Sequence, residues 1–75
     1  MNIDMNRFSE KFAQEYDFLY EHEDNVAGYS EAVAAFDQFA GHYSDFVGEF
    51  VRYRGDFIAS DREAAAFMFA LESLS

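Results

Sequence analysis

Set in rows of seven from Tyr29, the middle of the chain puts Tyr29, Phe36, Tyr43, Phe50 and Phe57 in the first column. Ala32, Phe39, Phe46 and Tyr53 fill the fourth column, and Val33, Ala40 and Val47 the fifth. Apolar residues recurring at spacings of three and four lie along one face of a helix, so this stretch predicts helix with a buried stripe. Gly41, Gly48 and Gly55 share a further column that would face solvent. Each glycine costs a helix interior about 0.8–1.0 kcal/mol relative to alanine. One unbroken helix is therefore not expected, and Gly41 and Gly55 read as helix ends in the left-handed C-terminal position.

The same reasoning divides the rest of the chain. A first segment runs from about Asp4 to His22, with Met5, Phe8, Phe12, Tyr16, Leu19 and Tyr20 along one side. A second starts near Asn25 or Ser30, either of which makes a good N-cap, and ends near Gly41. A third starts at Ser44 and runs to Arg54. Ser60-Asp61-Arg62-Glu63 is a capping box, with Ser at the N-cap and Glu able to reach back, and Ala64 to Leu74 follows as helix. The expected fold is all-α, a single domain over residues 1–75 built as a compact bundle of three or four short helices. The alternative is an α+β fold with a hairpin at about 49–60, where Phe-Val-Arg-Tyr and Phe-Ile-Ala-Ser flank Arg54-Gly55-Asp56.

Composition changes this picture by what it excludes. The absence of Cys removes disulfides and thiolate metal sites. Five Lys and Arg against 15 Asp and Glu, a net charge of -10, exclude a protein that grips nucleic acid directly. Ten Phe and five Tyr are too much apolar surface for a disordered chain. The longest strongly apolar stretch, Ala64 to Leu71, falls short of a membrane span, and the N-terminus lacks a signal-peptide pattern. The expectation is a cytoplasmic protein of a bacterial or archaeal cell, without membrane contact. A body this small with this charge repels itself. Its aromatic rings, at about 150–250 Å² each, exceed what one copy hides, which points to a protein–protein surface and to a homodimer as one form of it.

Candidate chemistry is sparse. His22 lies in Glu21-His22-Glu23-Asp24, but position 26 is Val where a zinc-protease helix needs its second His, and His42 is remote in sequence. No catalytic residue, metal-ligand set or cofactor is expected. Arg54-Gly55-Asp56 matches the tripeptide that integrins recognise, and reads structurally as a cap or tight turn. The acid is more informative. Asp17, Glu21 and Asp24 fall on one helical face, as do Asp45, Glu49 and Asp56. Like charges one turn apart cost a helix a few tenths of a kcal/mol, and Lys11 is the one lysine available to offset them. A net charge of magnitude about 2–8 suffices for solubility, so -10 exceeds that need. Carboxylates one turn apart are separated by about 5–6 Å, so rows of them offer a coarse copy of DNA phosphate, which places one charge per about 1.7 Å of axis.

Two stretches resemble ArdA-type antirestriction proteins, acidic DNA mimics carried by mobile elements. Phe39-Ala40-Gly41-His42-Tyr43 is similar to that family's aromatic-x-Gly-x-aromatic element. Tyr53-Arg54-Gly55-Asp56-Phe57, continuing to Asp61, is similar to its aromatic-Ala-Arg-Asp-Leu segment, with Gly55 where the family has Arg. The resemblance implies an inhibitor of a DNA-processing enzyme and no catalytic residue. The expected function is that of a small phage- or plasmid-type inhibitor occupying a basic nucleic-acid-binding protein or complex, such as a CRISPR effector or a restriction enzyme. Asp17, Glu21, Asp24, Asp45, Glu49 and Asp56 would stand in for phosphates, with Tyr43 and Tyr53 as apolar anchors. The alternative is a non-enzymatic acidic helical module, dimeric through its aromatic stripe or adapted to high salt, in which the acid serves solvation alone.

Overall fold

Among the described residues four α-helices form, α1 (Met5–His22), α2 (Tyr29–His42), α3 (Ser44–Arg54) and α4 (Asp61–Leu74). The structure, a computed structural model, describes residues 3–22 and 25–74. Among the described residues there is no strand, so the all-α bundle holds and the hairpin at 49–60 does not form. Glu49 to Arg54 continue α3, and residues 56–60 cross to α4 as a loop. No helix among the described residues is long and apolar enough to cross a membrane.

The helix ends follow local chemistry. The first-turn amides of a helix have no partner within it. At α1 the Asn6 N–H is satisfied from outside, donating to Asp4 Oδ1 at 2.9 Å, so Asp4 caps the helix. The capping box ahead of α4 closes in both directions, with the Glu63 N–H donating to Ser60 Oγ and the Ser60 N–H to Glu63 Oε1, each at 3.2 Å. Gly55 ends α3 at φ 79°, its N–H on the Val51 carbonyl at 2.9 Å. Two expected ends are corrected. Neither Asn25 nor Ser30 caps α2; Gly28 does, at φ 83° and without a side-chain bond, because the chain enters the helix through a left-handed turn that glycine alone adopts freely. Gly41 is not a left-handed cap but lies inside α2. The break falls at Tyr43 (φ -126°, ψ 48°), whose N–H still donates to the Phe39 carbonyl at 2.8 Å while its own carbonyl accepts from the Val47 N–H at 3.1 Å. One residue thus closes α2 and opens α3, so no glycine cap is needed.

These differences give two substitutions opposite signs. An alanine Cβ at Gly48 would meet only Arg52 Nη1, at 3.7 Å, an ordinary contact. Gly48→Ala is expected to stabilise by about 0.4–1 kcal/mol. Gly55→Ala forces a side chain into the left-handed region and is expected to cost about 1–2 kcal/mol. Urea midpoints followed by circular dichroism should move in opposite directions.

The core is an aromatic cluster organised by α4, which packs against α1 on one side and α2 on the other, with α3 touching both. Ala64, Ala65, Ala66 and Ala70 are buried, and their small size lets the neighbouring helices approach. Phe67 is fully buried, with ring centroids 4.9 Å from Phe8, 5.2 Å from Phe36, 5.5 Å from Phe39 and Phe50 and 5.9 Å from Phe46. Most of these pairs meet edge to face, the arrangement that ring quadrupoles favour. Four residues assigned to the buried faces are exposed instead: Tyr20, Tyr43, Tyr53 and Phe57. Phe57 is 76% exposed, because Gly55 ends the helical phase before it. Tyr20 is 68% exposed, and its ring faces the Arg62 guanidinium at 4.8 Å instead of the core.

One ion pair fastens the α3–α4 loop. Arg54 Nη2 lies 2.6 Å from Glu63 Oε2, both side chains mostly buried. Arg54 Nη1 also donates to the Phe57 carbonyl at 3.0 Å, and the guanidinium sits 5.2 Å from the Phe12 ring centroid. Glu63 Oε1 meanwhile accepts from the Ala59 N–H at 3.0 Å. Burial by itself would raise the Glu63 carboxyl, but the Ala59 N–H, the Arg54 guanidinium and Ser60 outweigh it and hold it below the ordinary 4.5. A lowered carboxyl stabilises the fold fully above its unfolded value and loses that contribution as pH falls through the folded one. Glu63→Gln is therefore expected to be less stable than wild type at pH 7, by about 1–2 kcal/mol. The difference should shrink below pH 4.5. The comparison with Gln matters, because acid also relieves the repulsion of a -10 surface and moves wild-type stability the other way. Urea titrations of both proteins across this range measure it.

Candidate acidic interaction surface

The α2–α3 junction brings two helix ends to one corner. Phe46 and Phe50 turn inward from α3 and are buried. Asp45 and Glu49 precede them by one residue each, about 100° around the helix, and are exposed. Asp45 also lies in the first turn of α3, where the helix dipole favours a negative charge. Tyr43, half exposed, leans on Phe39 with ring centroids 4.9 Å apart. Tyr43, Asp45 and Glu49 thus border one hollow of about 340 Å³, completed by His42, Ser44 and Phe46; among the described residues no Lys or Arg lines it.

The other expected acids are placed differently. Asp56 does not continue the Asp45–Glu49 row, because the left-handed Gly55 ends α3 and redirects the chain. Its Oδ1 accepts the Phe57 N–H at 2.8 Å, and it borders a second hollow, of about 530 Å³, together with Asp17 of α1. Arg54 and Glu63 line that hollow too, so its charge is mixed. Glu21 is exposed near the end of α1, 3.8 Å from His22 Nε2. Asp24 lies outside the described residues. Tyr53 is half exposed, but its hydroxyl donates to Asn6 Oδ1, tying α3 to the start of α1. Among the described residues no three of His, Asp and Glu lie together as metal ligands. Arg54-Gly55-Asp56 is a helix cap and turn, its arginine held by Glu63.

Two arginines lie against aromatic rings, and Arg54 alone of them lines the second hollow. Arg54 lies over Phe12, and Arg62 over Tyr16 and Tyr20 at 5.7 and 4.8 Å. Sequence reasoning did not find this arrangement, nor the Arg54–Glu63 pair, since both involve contacts that helical spacing does not encode. No protein family matches the chain, and neither a curated protein nor a solved structure does.

Proposed function

We propose that this chain is a small acidic inhibitor that occupies a basic nucleic-acid-binding surface on a defence complex, a CRISPR effector or a restriction enzyme. The observation behind this reading is the α2–α3 corner, where Asp45 and Glu49 flank a hollow with Tyr43 and, among the described residues, no Lys or Arg lines it. Two carboxylates one turn apart supply spaced negative charge, and a half-exposed tyrosine supplies contact area at its edge. Such a patch is steered to a basic groove by its charge and held there by its ring. Asp17 and Asp56, across the bundle's second hollow, add to the field more than to the contact, since Arg54 stands beside them.

The test is affinity capture from bacterial lysate on the immobilised chain, at low and high salt and with competing duplex DNA. The expected result is recovery of a nucleic-acid enzyme or CRISPR component that salt and DNA both displace. Recovery of such a target without competition by DNA would replace mimicry with a block at another interface. Recovery of this chain alone, as a salt-insensitive oligomer, would favour the structural module.

A further inference from the structure

The first two turns of α2 and the last two turns of α4 enclose a trough of about 870 Å³, open to solvent. Its two walls differ. The α2 wall is small, formed by Gly28, Ala32 and Ala35, while the α4 wall carries Met68, Leu71 and Leu74. Met68, Leu71 and Leu74 are only half buried, because α4 turns its Phe67 face to the core and presents these positions to one side. Each wall contributes one acid, Glu31 from α2 and Glu72 from α4, and among the described residues no Lys or Arg lines the trough.

We propose that this trough docks a short amphipathic helix of a basic partner. Such a helix would lay two or three apolar side chains between α2 and α4 and carry Lys or Arg beside them, opposite Glu31 on the α2 wall. The small wall lets a helix backbone come close, and a methionine-bearing wall adapts to the side chains it receives. Laying an amphipathic helix along a hydrophobic groove is a common recognition mode. An enclosed small-molecule pocket covers about 70–90% or more of its ligand, which an open trough does not. Charge selects the partner's sign: acid stands on both walls, within a chain of net charge -10. Charge also disfavours a second copy, since a two-fold pairing would set these acids against each other. A trough two turns long offers far less than the roughly 800 Å² per partner that a stable dimer buries, so it suits a short helical segment bound reversibly. The site is separate from the Tyr43–Asp45–Glu49 corner and does not depend on the inhibitor reading.

The probe is a synthetic three-turn peptide with Leu at positions i, i+3, i+4 and i+7 and Lys elsewhere, titrated into the ¹⁵N-labelled full chain. Amide shifts should centre on Ala32, Ala35, Met68 and Leu71. Ala35→Arg, at an exposed position, should weaken binding about tenfold or more, and Glu31→Lys should weaken it less, while Asp37→Lys, exposed and outside the trough, leaves it within about twofold. A twin peptide with Glu for Lys should not bind. The proposal is overturned if the shifts centre on Asp45 and Glu49 or spread over the acidic surface, or if the Glu peptide binds equally. It is also overturned if ultracentrifugation shows a dimer that Ala35→Arg dissociates, which would make the occupant a second copy.

Discussion

Phe67→Ala is expected to leave the chain without a cooperative folded state at 25 °C. The ring lies against Phe8 of α1, Phe36 and Phe39 of α2 and Phe46 and Phe50 of α3, so every other helix meets α4 through it. Truncating a buried Phe to Ala costs about 3–5 kcal/mol, from lost transfer energy and the cavity left behind. A domain of this size draws about 3–5 kcal/mol in total from its core. The cost therefore matches the whole margin, and the repulsion of a -10 surface leaves nothing in reserve. Phe67→Leu keeps much of the volume and should fold with a loss of about 1–2 kcal/mol. Phe57→Ala, at a ring 76% exposed, should change stability by less than about 0.5 kcal/mol. Circular dichroism urea melts of the three variants separate these outcomes. A cooperative Phe67→Ala transition within about 1 kcal/mol of wild type would show that the cluster is not organised around this ring.

The helices were legible because their signals are local. Phe36, Phe39, Phe46 and Phe50 recur at helical spacing within α2 and α3, and all four pack in or against the core. Ser60 and Glu63 carry a capping box whose bonds span three residues. Ser44 and Gly55 mark the limits of α3 where expected. What failed needed information from outside the segment. The seven-residue phase ran on through Tyr43 and Phe57, but the backbone breaks at Tyr43 and again at Gly55, which puts Phe57 in water. The same break took Asp56 from the α3 row and set it beside Asp17. Tyr20 has apolar spacing, yet Arg62, distant in sequence, holds its ring on the surface. Of the candidate site, the pairing of Asp45 with Glu49 was readable because it lies within one helix. The α2–α4 trough was not, because spacing names the apolar face of a helix but not how much of it a neighbour covers.

Reversing both carboxylates at the α2–α3 corner is expected to weaken binding to the captured target by about tenfold to a hundredfold, roughly 1.4–2.8 kcal/mol. Asp45→Lys with Glu49→Lys changes the net charge from -10 to -6, two units for each reversal. That change alone lowers the long-range attraction, so a matched control is needed. Glu10→Lys with Asp37→Lys alters the total equally at exposed positions on α1 and α2. If the corner makes the contact, the corner variant loses more affinity than the control and its binding depends less steeply on salt. Most of the loss should lie in the association rate, since exposed charges act chiefly by steering. Lysine at position 45 also opposes the α3 dipole, a cost of about 0.3–1 kcal/mol in stability. The neutral pair Asp45→Asn and Glu49→Gln avoids most of that cost and should fall between wild type and the reversed variant. Equal losses in corner and control variants would mean that total charge alone governs binding. Wild-type affinity in the folded reversed variant would remove the corner from the interface.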